Sequence, residues 1–598
     1  MKLSTFFIKV RKGIPYLFKH GIRATLYKMK HAHLPTYQRK AILDSMKRTD
    51  KELAAQRATK FSRDIKISIL VPLYNTPLNF LRDMIDSVVA QTYPNWELCL
   101  ADGSDDKHPE VEEVSKEYAK NDPRIVYKKL EKNLGISENT NACIDMATGD
   151  YIALFDHDDL LHQCVLFEVM QKICDEGADY VFTDEMVFAS PNTDDLIVAH
   201  YKQDYAPDTL HTNNYICHFS VFSRALLDQV GKFRKAFDGS QDHDMILRLT
   251  EKATKIVHIP KLLYLWRSHP LSVAQSIDAK DYAIQAGMNA VAESVKRAGV
   301  EGAEVGPSGV GKSVYRVHYP INRQSKVSIL IALQEKATAV KKCISSILKN
   351  STFPNYEIII AHNPIEDQQY LQELAQISAV SLCEAKARTS VGALTNLAAS
   401  KAEGDYLLLL DPTVEIISPD WIEEMMMFAQ RDDIAATGAK LFYPDNTIQH
   451  AGIILGMGED HIAGYVLQGL PKSFESYMGR HGYVQNFSAV TASCMMMRAK
   501  VYEELGGMDE SYESALLREV DLCLKARREH YLNVWTPYAQ AYNHAQKENK
   551  QRVDKRKFER EAKEFKQRWR TELKQRDPYY NPNFTLTDPD YQPKTGKN

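Results

Sequence analysis

The sequence predicts an α/β protein in which one domain occurs twice, and three observations lead to this prediction. Short segments of the first half return in the second half in the same order. Aliphatic and β-branched runs of strand length alternate with helical hydrophobic stripes, the pattern of a parallel sheet covered by helices on both faces. The 598 residues, 44% of them hydrophobic and 26% charged, have the composition of a globular protein with several cores.

The repeat rests on three pairs of matching segments. "KISILVPLYN" from Lys66 returns as "KVSILIALQE" from Lys326, and "QTYPNWELCLADG" from Gln91 returns as "STFPNYEIIIAHN" from Ser351. The third pair is "ATGDYIALFDHDD" and "AEGDYLLLLDPTV". Matching segments in one order indicate a duplicated domain of roughly 250 residues. We therefore expect a basic amphipathic helical region at 1–64, a first domain at 65–320, a second domain at 325–550, and a C-terminal helix and tail at 551–598.

The order of elements in the first copy places its polar residues. A buried strand from Lys66 is followed by a helix whose apolar stripe includes Leu81 and Ile85, and then by a second strand at residues 97–101. Ligands of open α/β sheets bind beyond the carboxyl ends of the strands. Three polar clusters follow strands directly, and we expect them to converge on one crevice: Tyr74-Asn75, Asp102-Gly103-Ser104 and the acidic segment 156–159.

Both ends of the chain carry helical patterns. The first 48 residues contain twelve Lys or Arg and a single acid, Asp44, and an apolar stripe recurs at helical spacing from Phe18 to Met29. Such a helix either lies on an anionic membrane surface or packs on the protein itself, and the pattern fits both. A second stripe, which we expect to pack, lies near the C-terminus: Phe558, Ala562, Phe565, Trp569 and Leu573.

Composition narrows the location and the partners. The net charge of −3 disfavours nucleic-acid binding by the chain as a whole. Nine cysteines without a C-x-x-C spacing argue against a disulfide framework and a structural zinc site, and favour a reducing compartment. The sequence shows neither an apolar stretch of bilayer-spanning length nor a signal peptide. We expect a cytoplasmic protein that is either free or bound peripherally to the inner face of the plasma membrane.

The acidic segment "ALFDHDDLL" concentrates three carboxylates directly after an apolar strand. Carboxylates at a strand end can hold a hard divalent cation, which neutralises negative charge that develops on a phosphate or diphosphate group. This chemistry predicts Asp156 and Asp158 as ligands of Mn²⁺ or Mg²⁺. In the alternative interpretation, Asp158 or Asp159 only caps a helix that begins near Leu160.

A reaction in which a hydroxyl attacks needs a general base, because the hydroxyl is a poor nucleophile until its proton is accepted. "GSQDHD" offers Asp242 and Asp244 for this role, and the alternative is again a helix cap, before "MILRL". "WRSH" adds Arg267 and His269, a bidentate donor and a ligand-capable imidazole that are suited to contact a diphosphate.

In their order from Ser68 to Ala274, these segments resemble glycosyltransferase family 2. The matching stretches are "SILVPLYN", "LADGSDD", "NLGISENTNA", "ALFDHDDLL", "NYICHFSVFSRALLDQVGKFRKAFDGSQDHDMILRL" and "LYLWRSHPLSVA". In the second half, "AVTASCMMMRAKVYEELGGMDESY", "REVDLCLKARREHY", "PYAQAYNHA" and "DPYYNPNF" resemble the two-domain enzymes that build bacterial O-antigen, rhamnan and capsule chains. The resemblance covers nearly everything after Lys66.

The resemblance implies two tandem domains of the nucleotide-binding GT-A fold, with helical extensions at both ends. It implies a metal-dependent enzyme that moves a sugar from dTDP-rhamnose or a UDP-hexose to a growing cell-surface polysaccharide or a lipid-linked glycan. Asp242 would be the base in an inverting transfer, and Asp244 would hold a structural role. The donor side would comprise Pro72, Tyr74, Asn75, Asp102, Asn141, Asp156, Arg267 and His269. The metal set would be Asp156, Asp158 and His269, and the acceptor side Asp184, Glu185, Asn214 and His218.

The second copy differs at positions that carry chemistry. His362 stands at the position of Asp102, and Glu335 stands at the position of Asn75. The segment 411–413, Asp-Pro-Thr, matches the first metal motif, so the second metal carboxylate is missing.

The resemblance nevertheless implies Glu519 as a base and His544 as a phosphate-side histidine in this copy. The second copy is therefore either a second transferase with altered metal use, which the retained Asp411, Glu519 and His544 favour, or a module that binds the glycan. A glycan-binding scaffold built from both copies is the competing class. The combined metal ligands, base and diphosphate contacts of the first copy favour an enzyme.

Overall fold

The computed structural model describes residues 35–269, 281–335, 338–545 and 555–594. Contacts divide this part of the chain into two compact units, formed essentially by residues 35–317 and 318–592 and here called the first and second unit. The predicted N-terminal stripe from Phe18 to Met29 lies outside the described residues. Among the helices of the described ranges, none combines the length and the apolar character of a membrane-crossing segment.

The first unit is built around one mixed sheet with helices packed against it. Its strands are β1 (Ile67–Leu73), β2 (Trp96–Asp102), β3 (Ile125–Lys129), β4 (Tyr151–Leu154), β5 (Leu160–Leu161), β6 (Tyr180–Ala189), β7 (Leu196–His200), β8 (Ser220–Ser223), β9 (Ile256–Ser268), β10 (Glu304–Pro307) and β11 (Tyr315–His318). Its helices are α1 (Thr36–Met46), α2 (Asp50–Ala58), α3 (Leu78–Val89), α4 (Pro109–Asn121), α5 (Ile136–Met146), α6 (Val165–Glu176), α7 (Pro207–Thr212), α8 (Arg224–Val230), α9 (Gln241–Thr250) and α10 (Asp281–Arg297).

The strand order of the first sheet is β3-β2-β1-β4-β8-β6-β9-β5. β1 pairs in parallel with both β2 and β4, and β8 runs antiparallel to its neighbours β4 and β6. The prediction of a parallel sheet therefore holds for β1 to β4 and is wrong for β8 and for β5, which pairs antiparallel with β9. The order reverses between β1 and β4, and sheets of this kind bind ligands beyond such a switch point.

The second unit repeats this sheet. Its strands are β12 (Val327–Leu333), β13 (Tyr356–His362), β14 (Val380–Glu384), β15 (Tyr406–Leu410), β16 (Val414–Ile416), β17 (Ile434–Phe442), β18 (Ile448–His450), β19 (Ile453–Leu455), β20 (Ala463–Tyr465), β21 (Gln485–Phe487), β22 (Cys494–Arg498) and β23 (Leu532–Asn543). Its helices are α11 (Thr338–Asn350), α12 (Gln368–Ala375), α13 (Val391–Ala399), α14 (Trp421–Ala429), α15 (Ala499–Glu504), α16 (Ala515–Arg528), α17 (Lys555–Arg568) and α18 (Arg570–Lys574). The order β14-β13-β12-β15-β22-β17-β23-β16 matches the first sheet strand by strand.

The segments that reveal the repeat in the sequence share one packing contact. Ser68 Oγ donates to Glu97 Oε1 over 2.6 Å and accepts from the backbone N of Gly149 over 2.8 Å. In the second unit, the backbone N of Gly404 donates to Ser328 Oγ over 2.9 Å. A Cβ at Gly149 would lie 2.6 Å from Ser68 Oγ, and a Cβ at Gly404 would lie 2.6 Å from the Ser328 backbone. The repeated "GDY" therefore reflects close packing against the first strand.

The described terminal helices pack on the units. Ile42 of α1 and Leu53 of α2 are buried, and His162 Nε2 lies 2.9 Å from the Met46 carbonyl oxygen. At the other end, Phe565 and Trp569 are fully buried, as the C-terminal stripe predicts.

Candidate active site

The polar clusters after β1, β2 and β4 meet at the switch point of the first sheet. Thr76 Oγ1 lies 2.6 Å from His157 Nδ1, which joins the segment after β1 to the acidic turn, residues 156–159. The backbone N of Asn75 donates to Ser104 Oγ over 2.8 Å, which joins the same segment to the residues after β2. The structure thus brings together the three clusters that the sequence predicts to converge.

Asp159 fixes the acidic turn from inside. Tyr264 donates its hydroxyl to Asp159 Oδ2 over 2.6 Å, and the backbone N of Arg267 donates to Oδ1 over 2.6 Å. Burial, with the charges of Asp158 and Asp156, raises the pKa of Asp159 well above its usual range. The helix-cap interpretation is wrong, because residues 160–161 form β5 and the next helix begins at Val165.

Asp158 faces His269 at the end of β9. His269 Nε2 lies 2.9 Å from Asp158 Oδ2, and the Phe80 ring packs against the imidazole with centroids 4.9 Å apart. A carboxylate from the acidic turn and an imidazole that follows β9, the neighbour of β5, therefore form one pair of potential metal ligands.

Asp156, the first residue of the turn, contacts His218. His218 Nε2 lies 3.2 Å from Asp156 Oδ2, and the Asp156 side chain is 49% exposed. Burial by the surrounding residues raises the pKa of Asp156, but the hydrogen bond from His218 and its charge outweigh this and keep the pKa below its usual value. The His218 ring stacks on Tyr264 with centroids 4.5 Å apart, so the residue that holds Asp159 also orients the partner of Asp156.

Asp242 lies in the first turn of α9 and is partly exposed. Asn214 Nδ2 donates to Asp242 Oδ2 over 2.8 Å. Cys217 Sγ lies 3.7 Å from the same oxygen and 3.4 Å from His218 Nδ1. The segment from Asn214 to His218 thus connects the predicted base to Asp156 in the acidic turn.

Asp244, two residues further along α9, is enclosed. Its carboxylate is fully buried, with Arg248 Nη2 2.9 Å from Oδ2 and Arg234 bound to Oδ1. Two arginines thus bind the Asp244 carboxylate, which agrees with the structural role that the resemblance implies.

The two predicted acceptor-side carboxylates on β6 are buried. Lys202 Nζ lies 3.0 Å from Glu185 Oε2, and His200 Nδ1 lies 2.8 Å from Glu185 Oε1. Burial raises the pKa of Glu185, and the Lys202 charge and the histidine contacts outweigh it and bring the pKa well below the usual range. Asp184 contacts His258 Nε2 over 2.8 Å. Both carboxylates are therefore enclosed by positive partners.

The predicted donor-side residues after β1 and β2 have different exposures. Tyr74 is 45% exposed beyond the end of β1, whereas Pro72 is buried within that strand. Asp102 is fully buried and accepts hydrogen bonds from the Tyr127 hydroxyl over 2.8 Å and Lys129 Nζ over 3.0 Å.

Two residues predicted to contact the donor, Asn141 and Arg267, bond to the protein backbone instead. Asn141 exchanges both of its amide hydrogen bonds, of 3.0 and 2.9 Å, with the Phe233 backbone. The Arg267 guanidinium is buried, donates from Nε to the Asp158 carbonyl oxygen over 2.6 Å, and reaches Asp83 over 3.0 Å. This corrects the expected contact of Arg267 with the diphosphate, because its buried side chain holds the backbone of the acidic turn instead.

The base position of the second unit is closed. Glu519 is 2% exposed, and its Oε2 accepts from Thr491 Oγ1 over 2.8 Å and from the Ala492 backbone N over 2.9 Å. Tyr465 donates its hydroxyl to Oε1. Burial raises the pKa of Glu519 above its usual value despite these bonds. Asp521, two residues after Glu519, has Lys525 Nζ 3.0 Å away and so repeats the buried ion pair of Asp244, which agrees with the predicted correspondence of Glu519 and Asp242.

The second unit carries a cluster that the sequence did not reveal. Glu415 Oε2 lies 2.7 Å from both His544 Nε2 and Lys342 Nζ. Glu415 lies inside β16 and Lys342 in α11, so neither follows a motif that spacing could identify.

The strand order and the acidic turn at the switch point define the class of the fold as GT-A. The chain belongs to glycosyl transferase family 2. The sequence model of this family matches residues 68–231 and 328–506, one segment in each unit.

Two curated relatives match most of this chain. The chain is 38% identical over 535 residues to the uncharacterized protein y4gI of Sinorhizobium fredii, a match that covers 88% of this chain and 58% of the relative. It is 30% identical over 549 residues to the O-antigen biosynthesis protein RfbC of Myxococcus xanthus, which covers 90% of this chain and 42% of that protein. The chain thus spans about half the length of these relatives. Among solved structures, S. aureus TarS 1-349 in complex with UDP-GlcNAc is 18% identical with a TM-score of 0.33, covering 39% of this chain and 66% of that one.

Proposed function

We propose that the first unit transfers a sugar from a nucleoside diphosphate sugar, dTDP-rhamnose or a UDP-hexose, to a growing cell-surface polysaccharide or a lipid-linked glycan. The observation that carries the proposal is Asp242, a partly exposed carboxylate that Asn214, Cys217 and His218 connect to the acidic turn. The name of the Myxococcus relative supports a polysaccharide product. Transfer would take place at the cytoplasmic face of the membrane.

Asp158 and His269 supply two ligands suited to a divalent metal, although in the described residues the ligand atoms of Asp156, Asp158 and His269 do not all lie within 4.8 Å of one another. Asp158 and His269 are paired over 2.9 Å, and Asp156 keeps a half-exposed carboxylate in the same turn. Carboxylate oxygens and one imidazole suit Mn²⁺, and carboxylates with phosphate oxygens and water suit Mg²⁺. When bound, such an ion neutralises the charge that develops on the departing diphosphate.

The other residues of the site orient groups and move one proton. Asp242 accepts the proton of the acceptor hydroxyl while that oxygen attacks the anomeric carbon from the face opposite the diphosphate, so the configuration inverts. Asn214 holds the Asp242 carboxylate in place, and His218 orients Asp156. Tyr74 and Asn75, beyond β1, would contact the nucleotide at the switch point.

The test is nucleotide release from a panel of UDP-, dTDP- and GDP-sugars, with Mn²⁺ and a crude lipid acceptor. We expect one donor to turn over, and both Asp158→Ala and Asp242→Asn to abolish the signal. Glu519→Gln should retain it, because that carboxylate is enclosed. A signal that only Glu519→Gln removes would move catalysis to the second unit, and release unaffected by every variant would favour a glycan-binding scaffold.

For the second unit we propose a binding role without transfer. A general base must reach the proton that it accepts, and the three hydrogen bonds on the buried Glu519 leave no open approach. This observation favours the module interpretation of the second copy over a second transferase.

A further inference from the structure

The edge of the second sheet does not fit the metal site of the first. Asp411 follows β15 as Asp156 follows β4, but Thr413 stands where Asp158 would supply the second carboxylate. Asp411 Oδ1 also accepts a hydrogen bond from the Thr413 backbone N over 2.8 Å, so part of this carboxylate is used to close its own turn.

A carboxylate and imidazole pair is nevertheless present at this edge. His544 follows β23 as His269 follows β9, and its Nε2 lies 2.7 Å from Glu415 Oε2. In the first unit the corresponding pair is formed by Asp158 and His269 over 2.9 Å. The second unit thus has a similar pair, in which the carboxylate comes from Glu415 of β16.

An ammonium group contacts both members of this pair. Lys342 Nζ lies 2.7 Å from Glu415 Oε2 and 3.2 Å from His544 Nε2. The Lys342 side chain is 54% exposed, so the charge remains open to a ligand. An ammonium has three donors, so it can keep these contacts and still bind an anion.

We propose that the second unit binds the diphosphate of a nucleoside diphosphate without a metal, with the Lys342 ammonium in the role that a divalent cation has in the first unit. The inference rests on the proposed function of the first unit and on the shared strand order of the two sheets. Lysine binds phosphate oxygens as a compact point charge. Because Glu519 is enclosed, binding at this site is not followed by sugar transfer.

The test is calorimetric titration of the full chain with UDP and with dTDP in excess EDTA. We expect the wild type to bind one nucleotide under these conditions and Lys342→Ala to weaken that binding by about tenfold or more, since a hydrogen bond to a charged group is lost. Lys342→Arg should retain it. The matched control is Lys341→Ala, which removes a neighbouring, similarly exposed lysine that contacts Glu373 instead.

Two results would overturn the inference: no nucleotide binding in EDTA by the wild type, or equal affinities for Lys342→Ala and Lys341→Ala. Either result leaves the proposed function standing if the wild type still releases nucleotide from a sugar donor in Mn²⁺. Conversely, absent turnover with persistent, Lys342-dependent binding in EDTA would refute the transferase proposal and leave the nucleotide site.

Discussion

At the scale of residues, carboxylates that stand close together in one sequence motif differ in their burial. Asp242 and Asp244 are two positions apart in one motif, yet Asp242 is partly exposed and Asp244 is fully buried between two arginines. The same holds for Asp158 and Asp159, of which the second is held by Tyr264. Only the exposed member of each pair can meet a substrate or a metal.

The first prediction concerns Asp242→Asn. We expect kcat for sugar transfer to fall about 10²- to 10⁴-fold, because an amide cannot accept the acceptor proton. Nucleotide affinity in Mn²⁺ should stay within a factor of about two, since Asp242 does not belong to the donor-side residues. The control is Asp228→Asn on the exposed face of α8. Equal losses of kcat in the two variants would refute the assignment.

A second residue-scale prediction concerns Lys440. Its Nζ donates to the His481 carbonyl oxygen over 2.6 Å and lies over the Phe442 and Trp535 rings. Burial, with a smaller contribution from the Lys472 charge, lowers the pKa of Lys440 to about 7. Between that pH and the usual pKa of 10.5, the unfolded chain binds a proton that the folded chain does not.

Protonation of Lys440 therefore destabilises the folded state. This cost is absent above the unfolded pKa of 10.5 and grows as the pH falls toward 7. The free energy of unfolding of the second unit should rise with pH in this window, by up to about 1.4 kcal/mol per pH unit. Urea denaturation of the wild type and Lys440→Met from pH 7 to 10 measures this. The advantage of the Met variant should shrink as the pH rises, and a constant difference would contradict the assignment.

At the scale of elements, the most similar segments of the two copies are structural. Gly149 and Gly404 let the turn before the fourth strand approach the backbone of the first strand, and Ser68 and Ser328 bond to those turns. These positions that close the sheet are therefore the same in both copies, whereas the proposed metal and base positions Asp158 and Asp242 are replaced by Thr413 and Glu519.

We expect Gly149→Ala to lower the free energy of unfolding of the first unit by about 1–3 kcal/mol, because the added methyl group overlaps Ser68 Oγ and the Lys66 carbonyl oxygen. The measurement is chemical denaturation followed by circular dichroism. Gly306→Ala is the control, since a Cβ there meets no atom within 4 Å. Similar losses in both variants would contradict the overlap as the cause, because the effect of Gly→Ala on the unfolded chain is stabilising.

A buried side chain, Trp569, directly follows the C-terminal helix α17. Trp569 is fully buried, and its Nε1 donates over 2.9 Å to Oδ1 of Asp521, a residue of α16 in the second unit. Trp569→Ala should destabilise this unit by about 3–5 kcal/mol, because a cavity and a lost hydrogen bond add up. Thermal denaturation tests this against Arg570→Ala, an exposed neighbour. An unchanged melting temperature for Trp569→Ala would contradict the packing role.

At the scale of the whole molecule, the two units share a strand order and differ in their sites. The first has an acidic turn and a partly exposed Asp242, and the second has Lys342 beside Glu415 and an enclosed Glu519. This difference predicts two nucleotides per chain in Mn²⁺ and one in EDTA, measured by equilibrium dialysis with UDP or dTDP. A value of one in Mn²⁺ and none in EDTA would contradict the division of roles.

Much of this arrangement could be predicted from the sequence, and the failures have specific causes. The repeat predicted both sheets, and strand ends predicted that the segments around Asn75, Ser104 and His157 would meet. The direction of Arg267 could not be predicted, because it depends on the register between β5 and β9 that brings the turn to its backbone. Lys342 and Glu415 lack any signal in the sequence, since a salt bridge between a helix and a strand leaves no periodicity.

The sequence by itself determined the duplication, the α/β class, the family and the chemical types present at each strand end. These follow from local patterns, because strand runs, turn residues and motif order are all short-range features. The tertiary structure alone decided which carboxylates are open and which are enclosed. That outcome depends on partners far apart in the chain, such as Tyr264 with Asp159 and Tyr465 with Glu519, which only the folded sheet brings into contact.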